Sequence, residues 1–477
     1  MLNPGLLVSA AHKSSGKTTL TLGLAAALAG RGFAVQPFKK GPDYIDPMWL
    51  SLAAGRPCLN LDMMLMAASE IDAAYAEHGA RADLCLVEGN KGLYDGLALD
   101  GSNSNAALAH RLGLPVLLVI DARGMTRGVA PLILGYQAFD PGLRIGGVIL
   151  NQLGGSRHES KLRAVIEHYT DVPVLGAVQR DARLELVERH LGLMPERELG
   201  NAGERVQAMG RLIAEQVDLA AVLELAGAAP RPAITLPAAP AAPRRGGGLR
   251  IGVARDKAFG FYYPDDLRAL EAEGATLVPL DTLADAHLPA LDGLFIGGGF
   301  PELFMAELEA NVSLRTELHR AIVDGLPVYA ECGGLMYLAR TLNWNGRSAQ
   351  MVGVIAGDAV MHERPVGRGY VRMQETAAFP WPGGGTGTLR LGHEFHHSSL
   401  ENLDLGSGLH FAYRVQRGQG LGCGFDGIRI HNVLASYMHQ RHCGGNDWPR
   451  RFMAFVREVR GAQGVEIAAS AFSRATA

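Results

Sequence analysis

Two stretches of this chain hold residue types and spacings that can do chemistry, and they lie far apart. The first, residues 10–19, reads Ala-Ala-His-Lys-Ser-Ser-Gly-Lys-Thr-Thr. It follows the apolar run Leu6-Leu7-Val8 and opens an Ala- and Leu-rich stretch that reads as a helix to about Gly30. Strand, small-residue loop, Gly-Lys-Thr and helix together predict a phosphate-binding loop. Its backbone N–H groups and the helix N-terminus turn positive charge toward phosphate oxygens. Lys17 then neutralises the β- and γ-phosphates, and the Thr18 hydroxyl ligates Mg²⁺. Ala11 stands where the usual pattern begins with Gly. A lysine on an ordinary helix N-terminus would oppose the helix dipole, so a nucleotide, ATP, is the expected ligand.

The second stretch is Ala330-Glu331-Cys332-Gly333-Gly334, which follows the apolar run Val328-Tyr329 and precedes Leu335-Met336-Tyr337-Leu338. A cysteine on a tight turn between strand and helix is a nucleophile elbow. The helix N-terminus favours the thiolate, the reactive species. Backbone amides near Gly333, and near Gly298 in the earlier run Gly297-Gly298-Gly299, are placed to cradle an oxyanion. The plain alternative is a buried cysteine acting as a small hydrophobe, but the surrounding glycines argue for the elbow. A base is still needed. The run Val433-Leu434-Ala435-Ser436-Tyr437-Met438-His439 predicts a late strand that delivers His439 as that partner.

These residues need elements to position them. From Leu6 to about Leu175 short apolar runs alternate with helical patterns. Strands are expected at 6–10, 34–38, 84–87, 116–120, 147–150 and 172–175, with helices such as 104–112 and 127–136. Such alternation predicts an α/β fold with a mostly parallel sheet covered on both faces, whose ligands gather at the carboxyl ends of the strands. Polar clusters sit at those ends. Asp43 and Asp46, three residues apart after the second strand, suit Mg²⁺ held directly or through water. Glu88, after the third, is placed like the second magnesium ligand of phosphate-loop enzymes; the plain readings are turn residues and a helix cap. Lys39, Lys40 and Lys91 suit substrate carboxylates or phosphates, or are simply solvated. Asn151 suits the adenine edge or an ordinary turn.

The composition narrows the class. The chain has 477 residues, 48% of them hydrophobic and 19% charged, which predicts two or three packed domains rather than disorder. A formal net charge of −3 gives no basic signal, so nucleic acid is not an expected partner. Cys58, Cys85, Cys332, Cys423 and Cys443 have no paired spacing. That argues against disulfides and a zinc site and suits a reducing cytoplasm. Neither a signal peptide nor a membrane span is expected. Residues 222–248 become rich in Pro, Ala and Gly and predict a linker between a domain at 1–221 and another at 249–477. In the second domain, His393-Glu394-Phe395-His396-His397 and the group His439, His442 and Cys443 look metal-like. The first alternates like a strand and neither has a fourth ligand at zinc spacing. The first is expected to line a site between the domains.

In this order the motifs resemble the cobyrinic acid a,c-diamide synthase family. The matching stretches are Ser-Gly-Lys-Thr-Thr, Lys-Gly-Pro-Asp-Tyr-Ile-Asp-Pro, Glu-Gly-x-x-Gly-Leu-Tyr-Asp-Gly, Gly-Gly-Gly-Phe-Pro-Glu, Ala-Glu-Cys-Gly-Gly-Leu-Met-Tyr-Leu, Gly-His-Glu-Phe-His and Ala-Ser-Tyr-x-His. The resemblance implies an N-terminal ATP domain of the dethiobiotin-synthetase type and a C-terminal class I glutamine amidotransferase domain of the flavodoxin-like sort. It implies that Gly16, Lys17 and Thr18 bind ATP and magnesium, and that Asp43, Asp46, Glu88 and Asp95 serve magnesium, phosphate or tetrapyrrole. It also implies that Cys332 and His439 are the glutaminase nucleophile and base. The implied partners are L-glutamine, a tetrapyrrole and a second copy of the chain in a homodimer. In the usual class I triad an acid lies two residues past the histidine; here Gln440-Arg441 follows. His12-Lys13-Ser14, Lys39-Lys40 and Asn90-Lys91 resemble a branch linked to dissimilatory sulfite reductase, with sirohaem or its precursor rather than a corrin as substrate. The implied reaction passes through an acyl phosphate that ammonia attacks, with a sheltered route for that ammonia. Two rivals remain: a phosphate-loop switch or partitioning ATPase, whose signature lysine would fall where His12 stands, and an amidase acting on other corrin side chains.

Overall fold

The computed structural model describes residues 4–186, 188–189, 192–227 and 248–475. The chain divides into two compact units, residues 1–239 and 240–477.

The first unit is built on seven strands: β1 (Gly5–Ala10), β2 (Val35–Lys40), β3 (Leu59–Leu61), β4 (Leu84–Glu88), β5 (Val116–Asp121), β6 (Ile145–Leu153) and β7 (Val174–Gln179). Their order in the sheet is β3-β2-β4-β1-β5-β6-β7, and all neighbours run parallel. The central strand β1 is buried along its whole length, which explains its unbroken apolar sequence. The chain leaves β1 to build one side of the sheet and crosses back after β4 to build the other. The carboxyl ends of β1 and β4 therefore flank a switch point, where such sheets bind ligands. Behind it, the helix Lys17–Gly30 packs on the helix Ala202–Gln216. A Cβ at Gly23 would lie 2.2 Å from Ile213 Cγ1, and one at Gly210 would lie 2.9 Å from Ala26 Cβ, so glycine permits this close approach. A small hairpin, β8 (Glu188–Arg189) and β9 (Gly192–Leu193), completes the unit's sheets.

The six predicted strands are present with shifted ends. β2 runs two residues beyond Phe38 because Lys39 pairs with both Asn60 and Glu88 in the ladder. β3, three residues long, has no counterpart among the sequence expectations. The linker is expected from 222; the helix Leu219–Gly227 takes in its first six residues and buries Val222, Leu225 and Ala226 at helical spacing. The rest of the expected linker, 228–247, lies outside the described residues.

The second unit opens with β10 (Leu249–Ala254), β11 (Phe259–Phe261), β12 (Ala275–Leu280), β13 (Gly293–Ile296), β14 (Gly298–Gly299) and β15 (Val328–Glu331). There follow β16 (Ala339–Trp344), β17 (Arg347–Gln350), β18 (Ile355–Met361), β19 (Gly367–Glu375), β20 (Leu389–His396) and β21 (Ser398–Glu401), then β22 (His410–Arg417), β23 (Phe425–Ile430) and β24 (Val433–Ser436). The main sheet runs β12-β10-β13-β15-β24-β23-β22-β19-β20. It is parallel as far as β24 and antiparallel beyond. A four-stranded sheet, β17-β16-β18-β21, and the short pair β11-β14 flank it. The C-terminal helix Trp448–Ala475 lays Trp448, Phe452, Met453 and Val456 against Phe295, Tyr329 and Trp381. Arg451 and Arg390 share the fully buried carboxylate of Glu375 there. Among the described residues no helix is long and apolar enough to cross a membrane.

Candidate active sites

In the first unit the loop after β1 turns through Gly16, which takes φ +87° as the cap of the helix Lys17–Gly30. Only glycine does so without strain. A Cβ there would also meet Asn151 Nδ2 at 2.1 Å. That amide, at the carboxyl end of β6, donates to Ser15 O at 2.9 Å and ties the loop to the sheet. Lys17 is buried, and burial lowers its pKa against the opposing pull of Glu88. The Thr18 hydroxyl donates to Glu88 Oε1 at 2.7 Å and to Asp46 Oδ2 at 3.4 Å.

The sequence reading left Lys39 undecided; the structure places it among the acids. Its ammonium donates to Glu88 Oε1 at 2.8 Å and to Asp46 Oδ2, and lies 3.8 Å from Asp43 Oδ2. Burial pulls the Lys39 pKa down, but the Asp46, Glu88 and Asp43 charges outweigh it and hold the ammonium well above the ordinary range. Burial, then the Asp46 charge, push the Asp43 carboxyl up to about 7; burial likewise raises Glu88. Asp43 Oδ1 also accepts from the backbone of Ile45 and Asp46, at 3.1 and 3.2 Å, as a local cap. Lys40 is buried on the other face of β2, donates to Asn90 Oδ1 at 3.2 Å, and is lowered to about 8 by burial. Asp95 Oδ2 accepts from Gly92 N at 2.9 Å, shaping the turn that follows Lys91.

A cavity of about 380 Å³ gathers Lys13, Gly16, Lys17, Thr18, Lys39, Asp43, Asp46, Glu88, Asn90 and Lys91, with Leu186 and Leu193 among its other lining residues. The donor set suits Mg²⁺, since Thr18, Asp43 and Glu88 offer hard oxygens. Glu88 Oε2 is buried with no hydrogen-bond partner among the described residues, as a carboxylate waiting for a cation would be.

In the second unit Cys332 sits at the carboxyl end of β15 and caps the helix Gly333–Leu338. Its φ of +48° is the strained elbow geometry expected of a presented nucleophile. Glycine is forced around it. A Cβ at Gly334 would meet Ile296 O at 2.3 Å, and one at Gly333 would come within 3.0 Å of Gly299 N. A Cβ at Gly298 would lie 2.7 Å from His439 Cε1. The elbow, the triple-glycine loop and the histidine are therefore packed side by side. Burial, then the Glu302 charge, hold the Cys332 thiol far above its usual range, so a base must take its proton.

His439 lies just past β24, which ends at Ser436, in a turn fixed by the buried Asp426 carboxylate. Asp426 accepts from the backbone N–H of Tyr437 and Met438, both at 3.1 Å. The His439 ring stacks on His393 at 5.0 Å, and its Nδ1 lies 3.3 Å from Glu331 Oε2. Sequence reasoning missed Glu331; the acid was sought two residues beyond the histidine, where Arg441 instead pairs with Asp265 at 2.9 Å. His393, His396 and His397 are all buried. Among the described residues no group of three or more His, Cys, Asp or Glu side chains is arranged to hold a metal ion.

Residues 7–193 match the family described as the CobQ/CobB/MinD/ParA nucleotide binding domain, and residues 250–446 match the CobB/CobQ-like glutamine amidotransferase domain. Among curated relatives, cobyrinate a,c-diamide synthase of Magnetococcus marinus is 46% identical over 95% of this chain and 97% of its own length. The enzymes of that name from Methanosarcina acetivorans and Listeria innocua are 42% and 38% identical, each over 91% of this chain and over 92% and 95% of their own. With a nucleotide-binding loop in one unit and a cysteine elbow in the other, the chain belongs to the cobyrinate a,c-diamide synthase family of glutamine-dependent, amide-forming ligases.

Proposed function

We propose that this enzyme amidates the a and c acetate carboxylates of a tetrapyrrole, driven by ATP and with glutamine as nitrogen donor. The carrying observation is that one chain has both a phosphate loop opening on an acid-lined cavity and a cysteine elbow packed beside a histidine. In this reading the first unit activates the acid and the second frees ammonia. The domain division is that of the sequence, 1–221 and 249–477, with the first extended to Gly227.

A substrate carboxylate oxygen attacks the γ-phosphorus of ATP; the bond to the bridging oxygen breaks and ADP leaves. Lys17 and the loop amides spread the charge on the transferring group. Thr18, Asp43 and Glu88 are the residues that would hold Mg²⁺, which when bound neutralises phosphate charge. Asn151 fixes the loop and stands by for the adenine edge. Lys91, which lines the cavity, meets the substrate carboxylate, Asp95 shapes the turn after Lys91, and Asp46 steadies the acyl phosphate. In the second unit the Cys332 sulfur attacks the glutamine amide carbon while His439 takes its proton. Amides at Gly298 and Gly333 receive the oxyanion. The C–N bond breaks, His439 returns the proton to the departing ammonia, and water clears the thioester. Ammonia then displaces phosphate from the acyl phosphate.

A corrin acid is the first choice of macrocycle because the relatives above are named for cobyrinate. Lys13, Asn90 and Lys91, the residues that resemble the sirohaem-linked branch, line the same cavity and favour testing that macrocycle beside it. The purified protein is incubated with ATP, Mg²⁺, glutamine and either macrocycle, and the products are weighed by mass spectrometry. Conversion of one or two carboxyls to amides on one macrocycle is expected. ATP hydrolysis with no amide on either would favour the switch ATPase instead.

A further inference from the structure

We infer that Glu331, the residue immediately before the nucleophile, is the positioning acid of the ammonia-releasing site, holding His439 through Nδ1 so that the second ring nitrogen takes the thiol proton. This rests on the glutaminase reading of Cys332 and goes beyond it.

The placement follows from the sheet. β15 and β24 are parallel neighbours with Glu331 opposite Ser436, so the end of one strand faces the turn that carries His439. Both carboxylate oxygens are committed. Oε2 lies 3.3 Å from His439 Nδ1, while Oε1 accepts from Gln440 N at 2.8 Å and from the Tyr329 hydroxyl. The carboxylate is itself held in place. Gln440 Nε2 donates to the Tyr329 oxygen at 3.0 Å, and Asn446 donates to Gln440 Oε1 at 3.2 Å.

Charge points the same way. Glu331 is 2% exposed, and among the described residues His439 is the one basic side chain within ion-pairing distance of it. An ionised carboxylate is costly to bury unless a cation meets it. The imidazolium formed when Cys332 gives up its proton is that cation, as in a triad whose acid orients and stabilises the histidine. The other groups around His439 do not compete. His393 of β20 exchanges backbone hydrogen bonds with it at 2.8 and 3.2 Å, and burial, then His439 and Arg441, hold His393 well below the usual range and neutral. Arg441 is engaged by Asp265 and lies over the Tyr263 ring at 4.9 Å.

The test uses the full-length protein and compares wild type, Glu331→Gln, Glu331→Asp and Cys332→Ala in glutamine- and ammonia-dependent turnover across pH. Glu331→Gln is expected to lower glutamine-dependent kcat on the order of 10³-fold with KM for glutamine little changed. Its acid limb moves to lower pH, because the base loses the neighbouring negative charge. Ammonia-dependent turnover persists, and Glu331→Asp recovers part of the loss. A structural role would lower the plateau with the limb unmoved and no rescue by Asp, and that result overturns the inference. So does glutamine turnover within threefold of wild type. Where Glu331→Gln fails to fold, Glu331→Asp decides: a lowered glutamine-dependent kcat with KM for glutamine and ammonia-dependent turnover unchanged supports the role, and unchanged turnover, or an equal fall in both activities, refutes it. If Cys332→Ala keeps full glutamine turnover, the glutaminase reading falls first and Glu331 with it.

Discussion

Replacing Lys39 with methionine removes the ammonium that is ion-paired with Asp43, Asp46 and Glu88. The side chains are 4% exposed for Lys39, 0% for Glu88, 17% for Asp46 and 32% for Asp43. Removing one partner of a buried pair costs about 3–5 kcal/mol because the other charge is stranded. Glu88 supplies most of that here, since the wetter Asp46 and Asp43 are screened. The lower figure, about 3 kcal/mol, is therefore expected. At roughly 2–4 °C per kcal/mol for a unit of this size, the melting transition should fall by roughly 6–12 °C. Scanning calorimetry of the whole protein reads this, the affected transition being the one that ATP raises. Mg²⁺ adds a second arm. With that ion pairing gone the acids keep less neutralising charge, so millimolar Mg²⁺ should raise the variant's transition more than that of wild type. A variant that melts with wild type, or a Mg²⁺ shift equal in both proteins, would refute the reasoning.

Two further outcomes follow from the same geometry. Lys40, lowered to about 8, has lost its proton in the folded chain at pH values where the unfolded chain still holds it. The unfolded state then binds more protons, so stability rises from pH 8 toward the ordinary lysine range. Lys40→Met should remove that rise, and denaturant titrations at pH 7.5, 9 and 10 check it; an identical slope in both proteins would be the contrary result. Gly298→Ala drives a Cβ to within 2.7 Å of His439 Cε1. It should lower glutamine-dependent turnover by about 10²-fold or more while ATP binding, measured by calorimetry, stays at the wild-type level; undiminished turnover would contradict the packing.

The parts legible in the sequence are those coded locally. Gly16-Lys17-Thr18 after an apolar strand, and Cys332 between a strand and two glycines, each carry their turn and helix start within a few residues. What escaped depends on lateral neighbours. Adjacent lysines at 39 and 40 say nothing of which faces the acids; the pleat of β2 and its pairing with β4 decide, sending Lys39 to Glu88 and Lys40 to Asn90. Position 151 suits the adenine edge or a turn, and nothing near it in sequence points to Ser15, whose carbonyl the Asn151 amide holds across 136 residues. Glu331 stood in plain view beside the nucleophile, but only the β15–β24 pairing brings it to His439. Val222, Leu225 and Ala226 were submerged in an alanine-rich composition that resembled the linker after it, although their spacing is helical.

The most direct test is the source of the nitrogen. Wild type and Cys332→Ala are each given ATP, Mg²⁺, the macrocycle, glutamine labelled with ¹⁵N at its amide, and unlabelled ammonium, and the product amide is weighed. Labelled amide from wild type and unlabelled amide alone from the variant are expected. Labelled amide from Cys332→Ala, or no amide from it with either nitrogen source while it remains folded and binds ATP, would contradict a division of labour between an acid-activating site and an ammonia-releasing one.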